Sequence, residues 1–218
     1  IDYLVPLLQG VTRVNIGNEI DEYFKKNPKE IAPYVSLFKK AKSRLQEKIP
    51  GLQVSSTVTF GGIASPNTRE LIAPILNECD YLSVTYYPLQ GDFTMRPANV
   101  VQQDFALIRE VATNLGEKPI VFQEIGYPSS VLNGSSQEQQ AEFFKNVIAE
   151  TRRHSDVIQF VNFFLMSDLP DWMVEDFAHY YKLPNVERFK SYLKTLGSFD
   201  DTGNPKQSWE LLKDILQK

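Results

Sequence analysis

Two glutamates stand at the ends of predicted strands, in surroundings that favour acid–base chemistry. Glu19 follows the strand predicted over Val14 to Gly17 and is preceded by Asn18. Glu124 follows the strand predicted over Pro119 to Gln123. Two carboxyls that face each other can cleave a glycosidic bond, because one protonates the leaving oxygen while the other attacks the anomeric carbon or activates water. The two must differ in protonation near neutral pH, so each needs its own surroundings.

Short apolar or β-branched runs alternate along the chain with longer segments of helical period. The predicted strands are Val14 to Gly17, Val54 to Phe60, Asp80 to Tyr86, Pro119 to Gln123 and Ile158 to Phe164. The predicted helices are Ile31 to Lys48, Thr68 to Asn77, Val101 to Leu115, Gln137 to Arg153 and Lys206 to Leu216. This alternation is typical of an α/β protein with a mostly parallel sheet. Because no Pro/Gly/Ser-rich linker interrupts it, we expect a single domain over residues 1 to 218.

Two parallel architectures are compatible with this order, an open doubly wound sheet and a closed barrel. A doubly wound sheet is covered by helices on both faces, so its strands are apolar on both. The second predicted strand instead places Val54, Ser56, Val58 and Phe60 on one face. Ser55, Thr57 and Thr59 lie on the other face. Although barrel interiors usually hold bulky branched residues, a small polar face suits the lumen near a barrel mouth, and the pattern favours a TIM (β/α)8-type barrel.

The strand spacing indicates a partial barrel. The predicted strand starts give a mean repeat of about 36 residues, and eight such repeats need roughly 290 residues, whereas the chain has 218. We therefore expect about five βα units. An open arc exposes two strand edges, and we expect a second copy of the chain or a missing N-terminal segment to cover them.

The residues around the two glutamates resemble a known clan. Gly17-Asn18-Glu19 after a strand, together with Val121 to Ser129, resembles the retaining (β/α)8 glycoside hydrolases. The stretch from Glu124 to Ser129 is similar to the nucleophile region of the β-1,3-glucanases, and the closing Leu196 to Trp209 is similar to the tail of clan members near the endo-galactanases. The resemblance covers strands 4 to 8 of that barrel, and the 105 residues between the two glutamates match about three repeats.

The resemblance implies a role for each residue of the site. Glu19 is the implied general acid/base and Glu124 the implied nucleophile of a double displacement with retention, which places the carboxyls about 5 Å apart. Asn18 is implied to hold the hydroxyl next to the anomeric centre. Tyr87, or its neighbour Tyr86, is implied to hydrogen-bond the nucleophile.

A further aromatic residue is a candidate for sugar binding. Trp172 follows the last predicted strand, and an exposed indole stacks on the apolar face of a sugar ring. The alternative is a Trp that pins this loop to the barrel rim. Elsewhere in the sequence, Asn133-Gly134-Ser135 matches the N-glycosylation signal, which needs an exposed Asn.

Composition excludes several classes of partner and cofactor. With 23 Lys and Arg against 27 Asp and Glu, the net charge is −4, which argues against nucleic acid and anionic membranes because both need a concentrated positive patch. One cysteine, Cys79, and two histidines exclude a disulfide framework and disfavour a metal site. We expect no metal or nucleotide cofactor, and an oligo- or polysaccharide as the partner.

Three functions stay open at this point. The first is a retaining glycoside hydrolase acting on a neutral β-linked glycan. The second is a non-catalytic carbohydrate-binding partial barrel, and the third is a module that assembles with itself through its exposed strand edges.

Overall fold

A computed structural model describes residues 1–183 and 186–217. Its strands are β1 (Arg13–Asn15), β2 (Gln53–Ser55), β3 (Thr57–Thr59), β4 (Leu82–Tyr86), β5 (Ile120–Ile125) and β6 (Ile158–Phe163). Its α-helices are α1 (Ile20–Phe24), α2 (Ile31–Lys48), α3 (Phe60–Ala64), α4 (Pro66–Glu78), α5 (Val101–Asn114), α6 (Gln137–Arg153), α7 (Asp171–Tyr181), α8 (Val186–Leu193) and α9 (Gln207–Leu216). The predicted alternation of strands and helices is confirmed.

The two longest helices have the predicted bounds because their patterns are unambiguous. On α2, Ile31, Phe38 and Leu45 recur every seven residues and are buried, which is one helical face. At the start of α6, the Ser136 hydroxyl accepts a hydrogen bond from the Gln139 amide at 3.2 Å and so caps the helix. The short helices α1, α3, α7 and α8 are not predicted, since segments of five to eleven residues gain most of their stability from packing.

The second predicted strand is divided in two at Ser56. β2 pairs in parallel with β1, with Val14 opposite Val54, whereas β3 pairs in parallel with β4, with Val58 opposite Val84. Between them, the Ser56 hydroxyl donates to the Ile16 carbonyl at 2.8 Å. The extended segment nevertheless lies between β1 and β4 on both sides of Ser56, since the Val54 carbonyl accepts the Asp80 amide at 3.0 Å and the Thr57 amide donates to the Gly17 carbonyl at 3.2 Å.

The chain packs as two compact units, and several strands begin in one and end in the other. The first unit comprises Ile1–Thr85, Leu107–Gln123 and Asp156–Val161. The second comprises Tyr86–Ala106, Glu124–Ser155 and Asn162–Lys218. The sheet that begins with β3 has the order β3-β4-β5-β6. The single domain expected from the sequence stays a prediction.

In the second unit, the closing segment runs back along the residues that follow β6. The Phe199 amide donates to the Met166 carbonyl at 2.9 Å, and the Phe199 carbonyl accepts a hydrogen bond from the Asp168 amide at 2.9 Å. The buried Lys206 ammonium lies 2.7 Å from the Asp168 carboxylate, which also accepts the Gly197 amide. This segment is therefore fastened to the loop that leads into α7.

Candidate active site

A buried layer of small polar side chains lines one face of the first unit's strands. Thr57 Oγ1 and Ser83 Oγ lie 3.0 Å apart, and Ser55 donates to the Tyr81 carbonyl at 2.7 Å. All three side chains are fully buried, and buried hydroxyls of this kind require partners. The polar face predicted for these strands is confirmed, whereas Phe60, predicted to lie on the apolar face of the second strand, begins α3 instead.

Glu19 stands at a tight turn between β1 and α1. Gly17 has φ +83°, and a Cβ on it would lie 2.7 Å from Ile20 Cγ2, so only glycine fits. Glu19 itself has φ +48°, a left-handed conformation that costs a non-glycine residue about 1–3 kcal/mol and is concentrated at functional sites. Its Oε1 accepts a hydrogen bond from Thr85 Oγ1 at 2.7 Å. The turn thus presents the carboxyl to the end of β4.

A buried aspartate anchors the helix that follows Glu19. Asp21 accepts hydrogen bonds from the Thr59 amide at 2.8 Å and the Thr59 hydroxyl at 2.6 Å. Burial raises the pKa of Asp21, although the bonds from Thr59 act in the opposite direction. A Cβ on Gly62 would lie 2.2 Å from the Asp21 carboxylate, so this position must stay a glycine. Asp21 is a supporting residue that the sequence analysis missed.

Gln123 orients the Asn18 amide, and it too was missed. The Gln123 Oε1 accepts hydrogen bonds from Asn15 Nδ2 at 2.7 Å and from the Thr57 hydroxyl. Its Nε2 is thereby left to donate, and it does so to Asn18 Oδ1 at 3.3 Å. Because Asn18 Oδ1 faces Gln123, the Asn18 Nδ2 points away from Gln123 and can donate to another group. In the sequence, Gln123 could have been recognised as a candidate because it is a polar residue that stands between the apolar Ile120 to Phe122 and Glu124.

Glu124 belongs to the second unit, where a tyrosine holds it. Tyr87 donates its hydroxyl to Glu124 Oε2 at 2.8 Å, the contact that the resemblance implies. The Tyr87 ring packs edge-on against Phe164 and Tyr192. A Cβ on Gly126 would lie 2.5 Å from Tyr87 Cε1, so glycine is required for the ring to approach this closely. Packing therefore determines where the hydroxyl points.

Tyr86 is placed differently from its neighbour. Its side chain is fully buried, and its hydroxyl donates to Asp104 Oδ2 at 2.8 Å. Arg96 forms an ion pair with the same carboxylate at 2.8 Å, and burial raises the pKa of Tyr86 above its ordinary range. Since strand side chains alternate between faces, only one of the two tyrosines can reach Glu124. Tyr86 is a core residue, so the alternative that it hydrogen-bonds the nucleophile, or takes part in substrate binding, is wrong.

The remaining candidates lie elsewhere in the second unit. Trp172 is the second residue of α7 and is 64% exposed. Asn133 is fully buried and donates to the Phe93 carbonyl at 2.7 Å. The glycosylation signal at Asn133 is therefore inaccessible in the folded chain.

The described residues also bear on metals and membranes. Across 1–183 and 186–217, no group of three or more His, Cys, Asp or Glu side chains is arranged to hold a metal ion. Within the same ranges, none of the helices has both the length and the apolar character that a bilayer crossing demands. Cys79 is buried, and burial raises the pKa of its thiol.

Comparison with known proteins gives likeness in structure only. No family model matches the sequence, and no curated protein matches it. Among solved structures, a family 17 β-1,3-glucanosyltransferase from Rhizomucor miehei matches 95% of this chain and 68% of its own length, at 16% identity and TM-score 0.61. An endo-laminarinase from Formosa matches 99% of this chain and 62% of its own, at 17% identity and TM-score 0.59. A family 5 glycoside hydrolase from Streptomyces cattleya matches 99% of this chain and 52% of its own length, at 14% identity and TM-score 0.68.

These likenesses establish the fold class. The chain has an α/β fold with parallel strands of the TIM-barrel type found in these structures. It spans about half to two thirds of the length of these three structures, so the partial (β/α)8 barrel expected from the strand spacing is consistent with them. Identities this low carry the fold and no further property.

Proposed function

We propose that this chain is a retaining glycoside hydrolase that cleaves a β-linked glycan, with Glu19 as general acid/base and Glu124 as nucleophile. The observation that carries the proposal is the 2.8 Å hydrogen bond from Tyr87 to Glu124 at the end of β5. In support, Glu19 is held in a left-handed turn and bonded to Thr85. Two glutamates at strand ends, each with its own hydroxyl donor, satisfy the requirement for two carboxyls in separate surroundings.

The proposed reaction has two steps. Glu19 gives its proton to the glycosidic oxygen while Glu124 attacks the anomeric carbon, so that the leaving sugar departs as an alcohol and a covalent glycosyl-enzyme forms. Glu19 then removes a proton from water, whose oxygen replaces Glu124 at the anomeric carbon. This mechanism requires the carboxyls to stand about 5 Å apart, and that separation stays a prediction.

The supporting residues divide the remaining work. Tyr87 holds the Glu124 carboxylate and stabilises the charge that returns to it when water displaces the sugar. Asn18, oriented by Gln123, donates its amide NH₂ to the hydroxyl beside the anomeric centre. Trp172 stacks on a sugar ring farther along the substrate. No metal or nucleotide cofactor takes part in this scheme.

The substrate class comes from the structural neighbours. A β-1,3-glucanosyltransferase and an endo-laminarinase are among them, which makes a neutral β-1,3-glucan the first substrate to test. The sequence resemblance makes β-linked galactan the second.

A non-catalytic alternative is favoured by one observation. The chain spans only 52–68% of the length of the three neighbours, and its sequence resembles strands 4 to 8 of the barrel only. In this alternative the chain binds glycan without hydrolysing it. A related possibility is that the chain assembles through its strand edges, which a second copy or an N-terminal segment then covers.

Hydrolysis assays separate these possibilities. We expect activity on aryl β-glycosides or laminarin that falls at least about 100-fold in Glu19→Gln and Glu124→Gln, because general acid–base catalysis alone contributes about 10²–10⁴-fold. Proton NMR of the first product formed reports retention. Glu142→Gln, an exposed glutamate on α6, is the matched control and keeps wild-type activity. If wild type and Glu124→Gln hydrolyse equally slowly, the enzymatic proposal is wrong for this chain.

A further inference from the structure

Helix α7 exposes an unusual concentration of aromatic side chains. Within its eleven residues, Tyr180 is 78% exposed, Trp172 64%, Tyr181 53% and Phe177 38%. The Phe177 and Tyr181 rings are stacked with centroids 6.3 Å apart, and Tyr180 meets Tyr181 edge-on at 5.0 Å. Large apolar side chains on a surface normally occur singly. We call these four residues the α7 aromatic face.

One side of the same helix is packed against the core, and Tyr181 partly belongs to it, since its ring meets the buried Phe189 edge-on at 5.8 Å. Val174 is fully buried and Ala178 nearly so, in a cluster that also contains Tyr192. Tyr87, which holds Glu124, packs against this cluster. The α7 aromatic face is therefore carried on a rigid support that is shared with the proposed nucleophile.

Two of the three carboxylates of α7 are paired with lysines, and the third, Asp176, is exposed and adds negative charge. Asp171 is paired with Lys194, and Glu175 lies 2.8 Å from Lys190. Within α7, His179 is the only basic residue. A polyanion such as nucleic acid or an anionic membrane needs a positive patch, so the chemistry fits a neutral ligand.

The ring types point to a particular neutral ligand. Trp and Tyr combine an apolar face with a polar N–H or O–H at the edge. A pyranose has the matching character, because its C–H faces are apolar and its rim carries hydroxyls. Trp172 and Tyr180 are separated by about 12 Å along the helix axis, at ~1.5 Å per residue. That span is longer than one sugar ring and suits an oligosaccharide.

We propose that the α7 aromatic face binds a neutral β-linked polysaccharide chain and holds a polymeric substrate beside the proposed active site. This inference rests on the proposed function for its choice of ligand. It adds that the substrate is a polymer, engaged at a surface separate from the two carboxyls.

The test uses the two tryptophans as reporters in the Glu124→Gln chain, so that the proposed hydrolysis does not consume the ligand. Trp172 is exposed, whereas Trp209 packs against Phe199 with ring centroids 4.8 Å apart. We expect laminarin or β-1,4-galactan to reduce acrylamide quenching of tryptophan fluorescence. In the additional variant Trp172→Phe, which reports Trp209 alone, the effect disappears.

A second measurement assigns the binding to tyrosine. Affinity electrophoresis in gels that contain laminarin or galactan measures retardation, and Tyr180→Ala lowers the affinity about tenfold (about 1.4 kcal/mol). Tyr3→Ala removes an 86% exposed tyrosine from the first unit and keeps the parent affinity. Thermal unfolding of each variant verifies that it is folded.

Three results overturn the proposal. The first is that neither polysaccharide alters the quenching of Trp172. The second is that Tyr180→Ala and Tyr3→Ala show the same retardation. The third is that Tyr180→Ala converts a dimer into a monomer in sedimentation without changing its retardation, because the face is then a contact between two copies of the chain. Failure of the proposed function is distinct. It shows as equal hydrolysis by wild type and Glu124→Gln, while laminarin still shields Trp172.

Discussion

Replacing Tyr87 by Phe isolates one hydroxyl at the proposed nucleophile. The ring is held by Phe164 and Tyr192, and its Cε1 lies against Gly126. Phenylalanine fills the same space, so the substitution removes only the hydrogen bond to Glu124 Oε2. A hydrogen bond to a charged group contributes about 1.5–3 kcal/mol.

Removing this hydrogen bond is expected to slow mainly the second chemical step, the hydrolysis of the glycosyl-enzyme. When water displaces the sugar, Glu124 departs as a carboxylate and Tyr87 stabilises the returning charge. If the whole contribution is made in that transition state, deglycosylation slows by about 10- to 150-fold. The glycosyl-enzyme then accumulates, so kcat and KM fall together while kcat/KM changes less.

Stopped-flow measurement with an aryl β-glycoside is the direct assay. We expect a burst of the released phenol in Tyr87→Phe, followed by a slow steady state. Tyr86→Phe is the matched comparison, since it removes a buried hydroxyl from Asp104 and should lower the free energy of unfolding by about 1–3 kcal/mol instead. A folded Tyr87→Phe variant with kcat within twofold of wild type, in a chain that depends on Glu124, would refute the assigned role.

Three further predictions concern the residues around the site. Gln123→Leu should raise KM and lower kcat/KM about tenfold, because Asn18 loses the donor that orients its amide; unchanged kinetics contradict this. Lys206→Met should lower the free energy of unfolding in urea by about 3–5 kcal/mol, since it leaves the Asp168 carboxylate buried without its cation; a change below 1 kcal/mol counts against it. Burial raises the pKa of Asp21 above its ordinary 3.8, so the folded state keeps a proton that the unfolded chain has released, and stability falls as pH rises through that window. The free energy of unfolding of wild type relative to Asp21→Asn should therefore decrease from pH 3.8 up to the raised pKa and stay level above it, whereas a difference independent of pH disproves the coupling.

Local patterns in the sequence were sufficient for the regular elements. The seven-residue recurrence of Ile31, Phe38 and Leu45 marks one face of α2, and the alternation around Thr57 separates the two faces of the strands. These signals are readable because helices and strands have fixed periods of 3.6 and 2 residues. The motif residues Asn18, Glu19 and Glu124 are recognisable for a similar reason, as they follow the predicted strands, although in the structure Glu124 lies within β5.

Contacts between distant parts of the chain were decided by packing. Tyr86 and Tyr87 are equivalent candidates in sequence, yet the first is bonded to Asp104 and the second to Glu124. The link from Gln123 to Asn18 joins residues 105 positions apart. Neither follows from a local pattern, because each depends on which strands become neighbours.

The sequence by itself determined the alternating α/β elements, the polar face of the strands and the two candidate glutamates, since these are encoded in short-range periodicity and in residue type. The tertiary structure alone decided which tyrosine holds Glu124, that Glu19 occupies a left-handed turn, that the segment around Ser56 lies between β1 and β4, and that α7 exposes Trp172 and Tyr180. The physical reason is that burial and hydrogen-bond satisfaction are properties of the packed chain, in which a side chain's role is set by neighbours that the sequence places far away.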